Sequence, residues 1–291
     1  NQHTVKILPF LGEYSWSVVI ASLVLAFCVA AVLIGGVKRI ASVSQVIVPF
    51  MAIIYVAFVL ILVVCNITAV PAAFVTIVKA AFSPKAITGG AVGSFIVAMQ
   101  KGVARGIFSN EAGLGSAPIA AAAAQTKEPV RQGLVSMTGT FIDTIIICTL
   151  TGLSIVITGA WKVDGLEGVQ VTTYAFQNGL PFPAVVSSFV LMLCLVFFAF
   201  TTILGWDYYS ERCLEYLSGG RMKYVKVYRW VYILAVFIGP YMTVSAVWTI
   251  ADIFNGLMAL PNMIALFALS GVVVKETKHF FERHKNGEIE D

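Results

Sequence analysis

Long apolar stretches separated by short charged connections dominate this sequence. A stretch of about 20 apolar residues is long enough to cross the hydrocarbon core of a bilayer as an α-helix. Stretches of this kind recur along most of the chain, which predicts an all-α polytopic membrane protein with about seven transmembrane helices. The predicted helices cover residues 16–34, 45–66, 91–124, 133–158, 184–217, 224–242 and 248–274.

The segments between these helices are shorter or more polar. Residues 71–82 are too few to span a membrane, so they predict a helix lying at its surface. Residues 169–177 predict a short helix within a polar connection, and residues 275–291 predict a charged cytoplasmic tail that frays. We treat residues 1–291 as a single transmembrane domain.

Composition narrows the class of protein further. Of the 291 residues, 59% are hydrophobic and 12% are charged, which excludes a soluble domain. The net charge of +4 comes from basic connections, so a nucleic-acid partner is not expected. The five cysteines show neither metal-ligand nor disulfide spacing, and we interpret them as small hydrophobic residues: Cys28, Cys65, Cys148, Cys194 and Cys213.

The distribution of basic residues predicts the orientation in the membrane. With the predicted helices, the connections alternate between the two sides, and lysine and arginine concentrate on one of them. That side holds Lys38, Arg39, Lys127, Arg131, the basic residues between 221 and 229, Lys275 and Lys278. The other side holds Lys79, Lys85 and Lys162. Because cytoplasmic connections are the more basic ones, the chain is expected to end in the cytoplasm of a cell bounded by this membrane.

One predicted helix is interrupted by a polar, glycine-rich stretch. Apolar sequence approaches it from Ala91, and an alanine run from 120 to 124 follows it. Unpaired backbone within a membrane must line a cavity or be buried in protein, and such breaks mark substrate and ion sites in transporters. The alternative is a packing break between close helices. The predicted substrate-binding residues are Phe108, Ser109, Asn110, Gly113, Gly115 and Ser116.

The two ends of the interruption differ in polarity. Carbonyl groups at residues 108–110 lose their helical partners and are expected to face an ammonium group or a cation. Amides at residues 112–115 are expected to start a second half-helix, whose positive end favours a carboxylate. A zwitterionic amino acid requires both features close together. Phe108 is then expected to bound the pocket for its side chain.

Several acids and one aromatic residue are candidates for coupling or gating. Glu111 either neutralises a cation or carries a coupled proton, or it has a structural role. In that role it caps free amides or pairs with Arg105. Asp143 is either a tuning or gating residue or a buried, hydrogen-bonded acid. Three further candidates share one face of the last predicted helix: Trp248, Asp252 and Asn255. They form a gate over the site, or Trp248 is an interfacial aromatic residue and Asp252 a capping acid.

Two adjacent hydroxyl groups, Thr201 and Thr202, interrupt the apolar fifth helix. Together with carbonyl groups near Phe198 and Ala199 they would supply oxygen ligands for a sodium ion. Threonine side chains in helices also bond back to carbonyl groups of their own helix, and that is the alternative. The residues alone leave these two interpretations open.

Several strings carry a resemblance to a known family. The longest is GVARGIFSNEAGLGSAP at 102–118, supported by FIDT at 141–144, CTLT at 148–151, FAFTTILGW at 198–206 and DIFNGLMALPN at 252–262. GGVKRI at 35–40 and VPFM at 48–51 also match. The sequence resembles the alanine or glycine:cation symporter family from about Gly35 to Glu276.

The resemblance implies a fold similar to the leucine-transporter type, with two inverted repeats of core helices. The first two predicted helices then correspond to core helices four and five, and the interrupted one to core helix six. The first three core helices are missing, and the chain starts with Asn1, so we expect a C-terminal fragment. In similar symporters, paired hydroxyls on core helix eight hold sodium, which favours Thr201, Thr202 and the Phe198 carbonyl as its ligands.

The expected function is therefore import of alanine or glycine coupled to sodium, with no other cofactor. The partners are the amino acid, sodium and the lipid bilayer. Proton coupling and a different solute are the nearest alternatives. A channel is a further one, but no filter-like repeat is found. An enzyme is not expected, because the histidines lie at the chain ends and form no catalytic constellation: His3, His279 and His284.

Overall fold

The structure, a computed structural model, describes residues 4–5, 14–81 and 91–289. Within these ranges the chain is almost entirely helical. Five helical segments are long and apolar enough to cross a membrane: Trp16–Leu33, Gly36–Cys65, Pro129–Thr158, Ala184–Leu217 and Val244–Lys285. The protein is therefore an all-α membrane protein, as the hydrophobic pattern predicts.

The chain forms two compact units, each built from two separate parts of the sequence. Unit 1 comprises Asn1–Cys65 and Val163–Thr249, and unit 2 comprises Asn66–Lys162 and Ile250–Asp291. The strands of unit 1 are β1 (Thr4–Val5) and β2 (Tyr14–Ser15), which pair antiparallel with Thr4 opposite Ser15. Its helices are α1 (Trp16–Leu33), α2 (Gly36–Cys65), α8 (Val169–Gly179), α9 (Ala184–Leu217) and α10 (Met222–Ile238).

Unit 1 packs around α9, which contacts α1, α2, α8 and α10. One buried cluster joins Val29, Val32 and Leu33 of α1 to Leu204 of α9. Just before α1, the Tyr14 hydroxyl donates to the carbonyl of Tyr241 at 2.6 Å. Apolar contact between helices buried from both water and lipid fixes the position of α9 in this unit.

Unit 2 contains the interrupted helix. Its helices are α3 (Val70–Ala81), α4 (Ala91–Asn110), α5 (Ala117–Ala121), α6 (Pro129–Phe141) and α7 (Thr149–Thr158). A π-helical segment, Ile142–Cys148, joins α6 to α7 within one continuous span. The last helix, α11 (Val244–Lys285), begins in unit 1 and runs mainly through unit 2. Helix α3 packs against α7, and α4 packs against the π-helical segment.

Large apolar side chains cover the outside of the long helices. In the apolar part of α11 none of the residues is buried, and Leu260, Ile264 and Phe267 are among the most exposed. A water-soluble protein does not expose an apolar surface of this extent. Exposed apolar faces of this kind are typical of membrane-spanning helices.

Several boundaries differ from those predicted. Helix α2 begins at Gly36 rather than at residue 45, because Gly36, with φ of 70°, reverses the chain directly after α1. Helix α11 continues through Lys285, so the tail is helical over most of its length instead of fraying from residue 275. An ion pair between Arg283 and Glu128, at 3.1 Å, ties this extension to the start of α6.

Three segments match their predictions closely. The short helix predicted at 169–177 is α8, and the long helix predicted at 184–217 is α9. The helix predicted at 71–82 is α3 up to Ala81, and residue 82 lies outside the described residues. Its location at the membrane surface stays a prediction.

Candidate functional site

The interruption, residues 111–116, separates α4 from α5 by three backbone positions with positive φ. These positions are Glu111 at 55°, Gly113 at 85° and Gly115 at 86°. A right-handed helix cannot include such residues, so α4 must end at Asn110. Glu111 is the only residue other than glycine with positive φ in the described ranges, and side chains rarely adopt this conformation without a structural or functional reason. The break predicted from the sequence is therefore present.

The prediction for the start of the second half-helix is wrong. Amides at residues 112–115 are expected from the sequence to begin it, whereas α5 begins at Ala117 and ends at Ala121 instead of Ala124. The Ala112 amide donates to the Asn110 side-chain oxygen at 2.9 Å, and the Leu114 amide donates to the Glu111 carbonyl at 3.2 Å. The glycines form turns here, because their φ values exclude a helical start.

The end of α4 contacts the π-helical segment through two polar side chains. The Ser109 hydroxyl donates to Oδ2 of Asp143 at 2.7 Å, and the Asn110 amide donates to the Thr144 hydroxyl at 3.2 Å. The two acceptors are neighbours in the π-helical segment, Ile142–Cys148. Such segments are rare in proteins and frequent at functional sites. The structure thus brings together three predicted residues, Ser109, Asn110 and Asp143, and adds Thr144.

A hydrogen bond within the interruption joins its first residue, Glu111, to its last, Ser116. The Ser116 hydroxyl, which belongs to a fully buried residue, donates to Oε2 of Glu111 at 2.7 Å. The Arg105 guanidinium binds a carboxylate on another helix, and the predicted alternative in which Glu111 pairs with Arg105 stays a prediction. The short contact fixes both ends of the six-residue turn.

That other carboxylate belongs to Asp252 on α11. Nη2 of Arg105 donates to Oδ1 of Asp252 at 2.8 Å and to Oδ2 at 2.7 Å. Each side chain is 34% exposed. Asp252 is one of the predicted gating residues, together with Trp248 and Asn255. Asn255 lies half-buried one turn further along α11, and Trp248 is slightly more exposed than Asp252.

The amide of Asn262 makes a contact that the sequence analysis does not predict. Its Nδ2 donates to the carbonyl of Gly113 at 2.9 Å, across 149 residues of sequence. A Cβ atom at Gly115 would lie 3.1 Å from Cγ and Oδ1 of Asn262, so the two segments approach closely only because Gly115 is a glycine. The string at 252–262 contains Asn262, but nothing in the spacing assigns that residue to the interruption.

The predicted sodium ligands lie on α9 in unit 1. The Thr201 hydroxyl donates to the carbonyl of Phe197 at 3.0 Å and to that of Phe198 at 3.1 Å. Thr202 and Phe198 are exposed. The back-bonding that is the alternative interpretation of Thr201 is therefore present, and it leaves the lone pairs of the hydroxyl oxygen directed away from those carbonyls. The role of these residues in binding sodium stays a prediction.

The polar groups around the interruption include both hydrogen-bond acceptors for an ammonium group and hydrogen-bond donors for a carboxylate. The negative end of the α4 dipole and the Asp143 carboxylate lie on the side of Ser109, which favours an ammonium group. The glycine amides of the turn are hydrogen-bond donors for a carboxylate. The half-buried Phe108 is in the last turn of α4, next to these groups. Together they can hold a small zwitterion.

Comparison with known proteins gives consistent similarities. A model described as the sodium:alanine symporter family matches residues 4–291. The chain is 55% identical to an uncharacterized transporter of Haemophilus influenzae, over 92% of the chain and 58% of that protein. It is 48% identical to the sodium/alanine symporter AgcS of Methanococcus maripaludis, over 92% and 58% respectively. It is 38% identical to the amino-acid carrier protein AlsT of Bacillus subtilis, over 95% and 57%. The chain thus spans a little more than half the length of these relatives.

Proposed function

Since this chain belongs to the sodium:alanine symporter family, we propose that it is part of a transporter that imports a small neutral amino acid, alanine or glycine, together with sodium. The family is one of transporters, and the proposal includes no enzymatic activity. The observation that carries the proposal is the interruption, where a non-glycine residue with positive φ and several polar side chains occur within a membrane protein.

The amino acid binds at the interruption with its ammonium group toward the end of α4. The Arg105 guanidinium does not compete for the acceptors there, because it already binds Asp252. Carbonyl groups of the last turn of α4, at residues 108–110, contribute with the Asp143 carboxylate. The substrate carboxylate turns toward the amides of Gly113 and Gly115, since the amides of residues 112 and 114 already serve the turn.

The small size of the substrate follows from what surrounds the turn. Gly115 lies against Asn262, and Ser116 is fully buried, so this side of the turn is closely packed. A side chain the size of a methyl group or a hydrogen atom suits such a space better than a long one. The half-buried ring of Phe108 bounds the side-chain pocket in this proposal.

Sodium binds on α9 through the hydroxyl oxygens of Thr201 and Thr202 and the carbonyl of Phe198. The Thr201 proton points to carbonyls of its own helix, which orients an oxygen lone pair toward a cation. Sodium is cargo that moves down its gradient with the amino acid. Core helix one of the full-length protein supplies the remaining ligands, as the resemblance to leucine-transporter-type symporters implies.

The transport cycle alternates access to the interruption from the two sides of the membrane. The Arg105–Asp252 ion pair ties the first half of the interrupted helix to α11 and acts as the gate on that side, with Trp248 and Asn255 on the same helix. We assign seven membrane crossings, counting α10 and the interrupted α4 and α5 with the five longer spans, in a leucine-transporter-type arrangement. The transporter lies in the cell membrane, with its C-terminus in the cytoplasm.

Protection of a single cysteine from alkylation tests this substrate site. In the full-length protein with its native cysteines replaced, the exposed Ala112 is changed to cysteine. Alanine added with sodium is expected to slow alkylation at this position at least about fivefold, because the bound amino acid covers the turn. The same alanine concentration in sodium-free buffer is expected to protect much less.

A matched variant, Ala122→Cys, controls for changes in exposure elsewhere. Ala122 is also exposed and follows α5 directly, outside the interruption. Its alkylation rate should not respond to alanine. If both cysteines react at the same rates with and without alanine, in a preparation that still transports, the interruption is not the substrate site.

A further inference from the structure

Unit 1 holds a buried group of charged residues that the proposed function does not use. Asp207 and Glu211 are four residues apart on α9 and therefore share one face of the helix. Asp207 is 0% exposed and Glu211 is 4% exposed. Arg229 of α10 lies against them. We call these three residues the Asp207 cluster.

Only one of the two carboxylates has a cationic partner. Nε of Arg229 donates to Oε1 of Glu211 at 2.6 Å, and Nη2 donates to Oε2 at 2.9 Å. This pair of parallel hydrogen bonds occupies both oxygens of Glu211. Both oxygens of Asp207 are buried, and neither has a hydrogen-bond partner among the residues that the structure describes. If both acids were ionised, the cluster would therefore contain one unbalanced negative charge.

Among the described residues, the helices packed against α9 supply no further cation to Asp207, and Arg212 of α9 itself pairs with Glu215. The titratable groups that face it are Glu211, Arg229, Tyr228 and Tyr232. The Tyr232 hydroxyl donates to the carbonyl of Ile203 at 2.8 Å. Helices α1 and α8 contain no charged residue, and the other charged residues of α2 and α10 are exposed: Lys38, Arg39, Lys223 and Lys226.

A metal ion is a poor candidate for the missing positive charge. Within residues 4–5, 14–81 and 91–289, no three acidic, histidine or cysteine side chains gather to hold one. The carbonyl of Ile203, one turn before Asp207 on α9, already accepts from Tyr232. A proton requires no coordination shell, and it converts a carboxylate that is very costly to bury into a neutral group.

We infer that Asp207 is a proton-binding site on α9. In the conformation described here its carboxyl group is neutral, and the proton lies on one of its two oxygens. The proton leaves to water when a change in the packing of α9 against α10 hydrates the site, and the remaining carboxylate is then solvated. Asp207 lies six residues after Thr201, about 9 Å along the helix axis, so its charge acts on the proposed sodium site.

Infrared difference spectroscopy of the full-length protein tests this inference without any transport assay. The wild-type spectrum is expected to contain the carbonyl band of a neutral carboxyl group that shifts in heavy water. The Asp207→Asn variant is expected to lack this band. The Glu215→Gln variant is the matched control and should retain it, because Glu215 is a half-exposed acid of the same helix that pairs with Arg212 and not with Arg229.

Thermal unfolding gives a second, independent measurement. Asparagine has nearly the shape of a neutral aspartic acid, so Asp207→Asn should unfold at the wild-type temperature or above it. Glu211→Gln should unfold at a lower temperature, because it removes the ionised partner of the Arg229 guanidinium. If Asp207→Asn retains the neutral carboxyl band, or unfolds at a lower temperature than the wild type, the inference is wrong.

Discussion

At the scale of single residues, the glycines of the interruption differ in what surrounds them. Gly113 and Gly115 have nearly the same φ, 85° and 86°. A Cβ atom at Gly113 would lie 3.9 Å from the sulfur of Met263, which is an ordinary contact, whereas one at Gly115 would lie 3.1 Å from two atoms of Asn262. The backbone strain is therefore equal at the two positions, and only the space differs.

Substituting each glycine by alanine separates these two effects. Both variants should lose about 1–2 kcal/mol of stability, because alanine is strained at positive φ. Gly115→Ala should lose about 1–3 kcal/mol more, since the side chain of Asn262 must move and gives up its bond to the Gly113 carbonyl. Thermal unfolding of the full-length protein measures the loss of stability in each variant, and alanine uptake measures the loss of transport.

A third variant controls for strain outside the site. Gly220 has φ of 81°, and a Cβ atom added to it would meet no neighbouring atom within 4 Å. Gly220→Ala should therefore match Gly113→Ala in stability but keep full uptake. Equal losses in Gly113→Ala and Gly115→Ala would contradict the close approach of Asn262.

At the scale of elements, two ion pairs fasten α11 to other helices of unit 2. Arg105 of α4 binds Asp252, and Arg283 binds Glu128 at the start of α6. The arginine side chains are similarly exposed, 34% and 33%. Pairs of this exposure contribute only about 0.2–1 kcal/mol to stability because water screens them. The two ion pairs therefore contribute similarly to the stability of the protein. If variants of the two pairs differ in alanine uptake, the pairs differ in their role in transport.

Breaking the two pairs in turn tests the gate. Arg105→Ala and Asp252→Ala are each expected to reduce alanine uptake at least about tenfold, because the tie between the interrupted helix and α11 is lost. The exchange Arg105→Asp with Asp252→Arg should recover a substantial part of the uptake. Arg283→Ala should change uptake less than about twofold. The proposal fails if Arg283→Ala impairs uptake as strongly as Arg105→Ala does.

The elements also indicate what the sequence can predict. Apolar length alone locates α1 and α9, because burial in lipid leaves a strong signal in composition. The π-helical segment Ile142–Cys148 has no such signal, since its residues are as apolar as those of an ordinary helix. The continuation of α11 to Lys285 depends on a contact between distant residues, Arg283 and Glu128, which local sequence does not contain.

The sequence likewise predicts the position of the candidate site, but not the contacts that its residues make with other helices. The glycines and the polar side chains beside them locate the interruption, because a helix in lipid tolerates neither without a reason. The partners of Ser109, Arg105 and Gly113 come from other helices, so their identity requires the fold. The burial of Asp207 likewise depends on the packing of α10 against α9, which no local pattern contains.

At the scale of the whole molecule, the chain contributes two units whose helices have different parts in the proposed mechanism. Unit 2 contains the interruption and its gate, and unit 1 contains the proposed sodium ligands and the Asp207 cluster. The chain spans 57% to 58% of the three relatives named above, so the proposed transport activity is that of the full-length protein. Coupling means that sodium and the amino acid must each favour the same arrangement of these units.

The central claim is that alanine enters with sodium, and uptake by the full-length protein in proteoliposomes tests it most directly. An inward sodium gradient should drive accumulation of labelled alanine, whereas choline in place of sodium should not. The Thr201→Ala and Thr202→Ala double variant should lose at least about tenfold of the sodium-driven uptake. Ser188→Ala, which removes another back-bonded hydroxyl from α9, should retain it. Uptake that a proton gradient drives equally well without sodium would contradict the account.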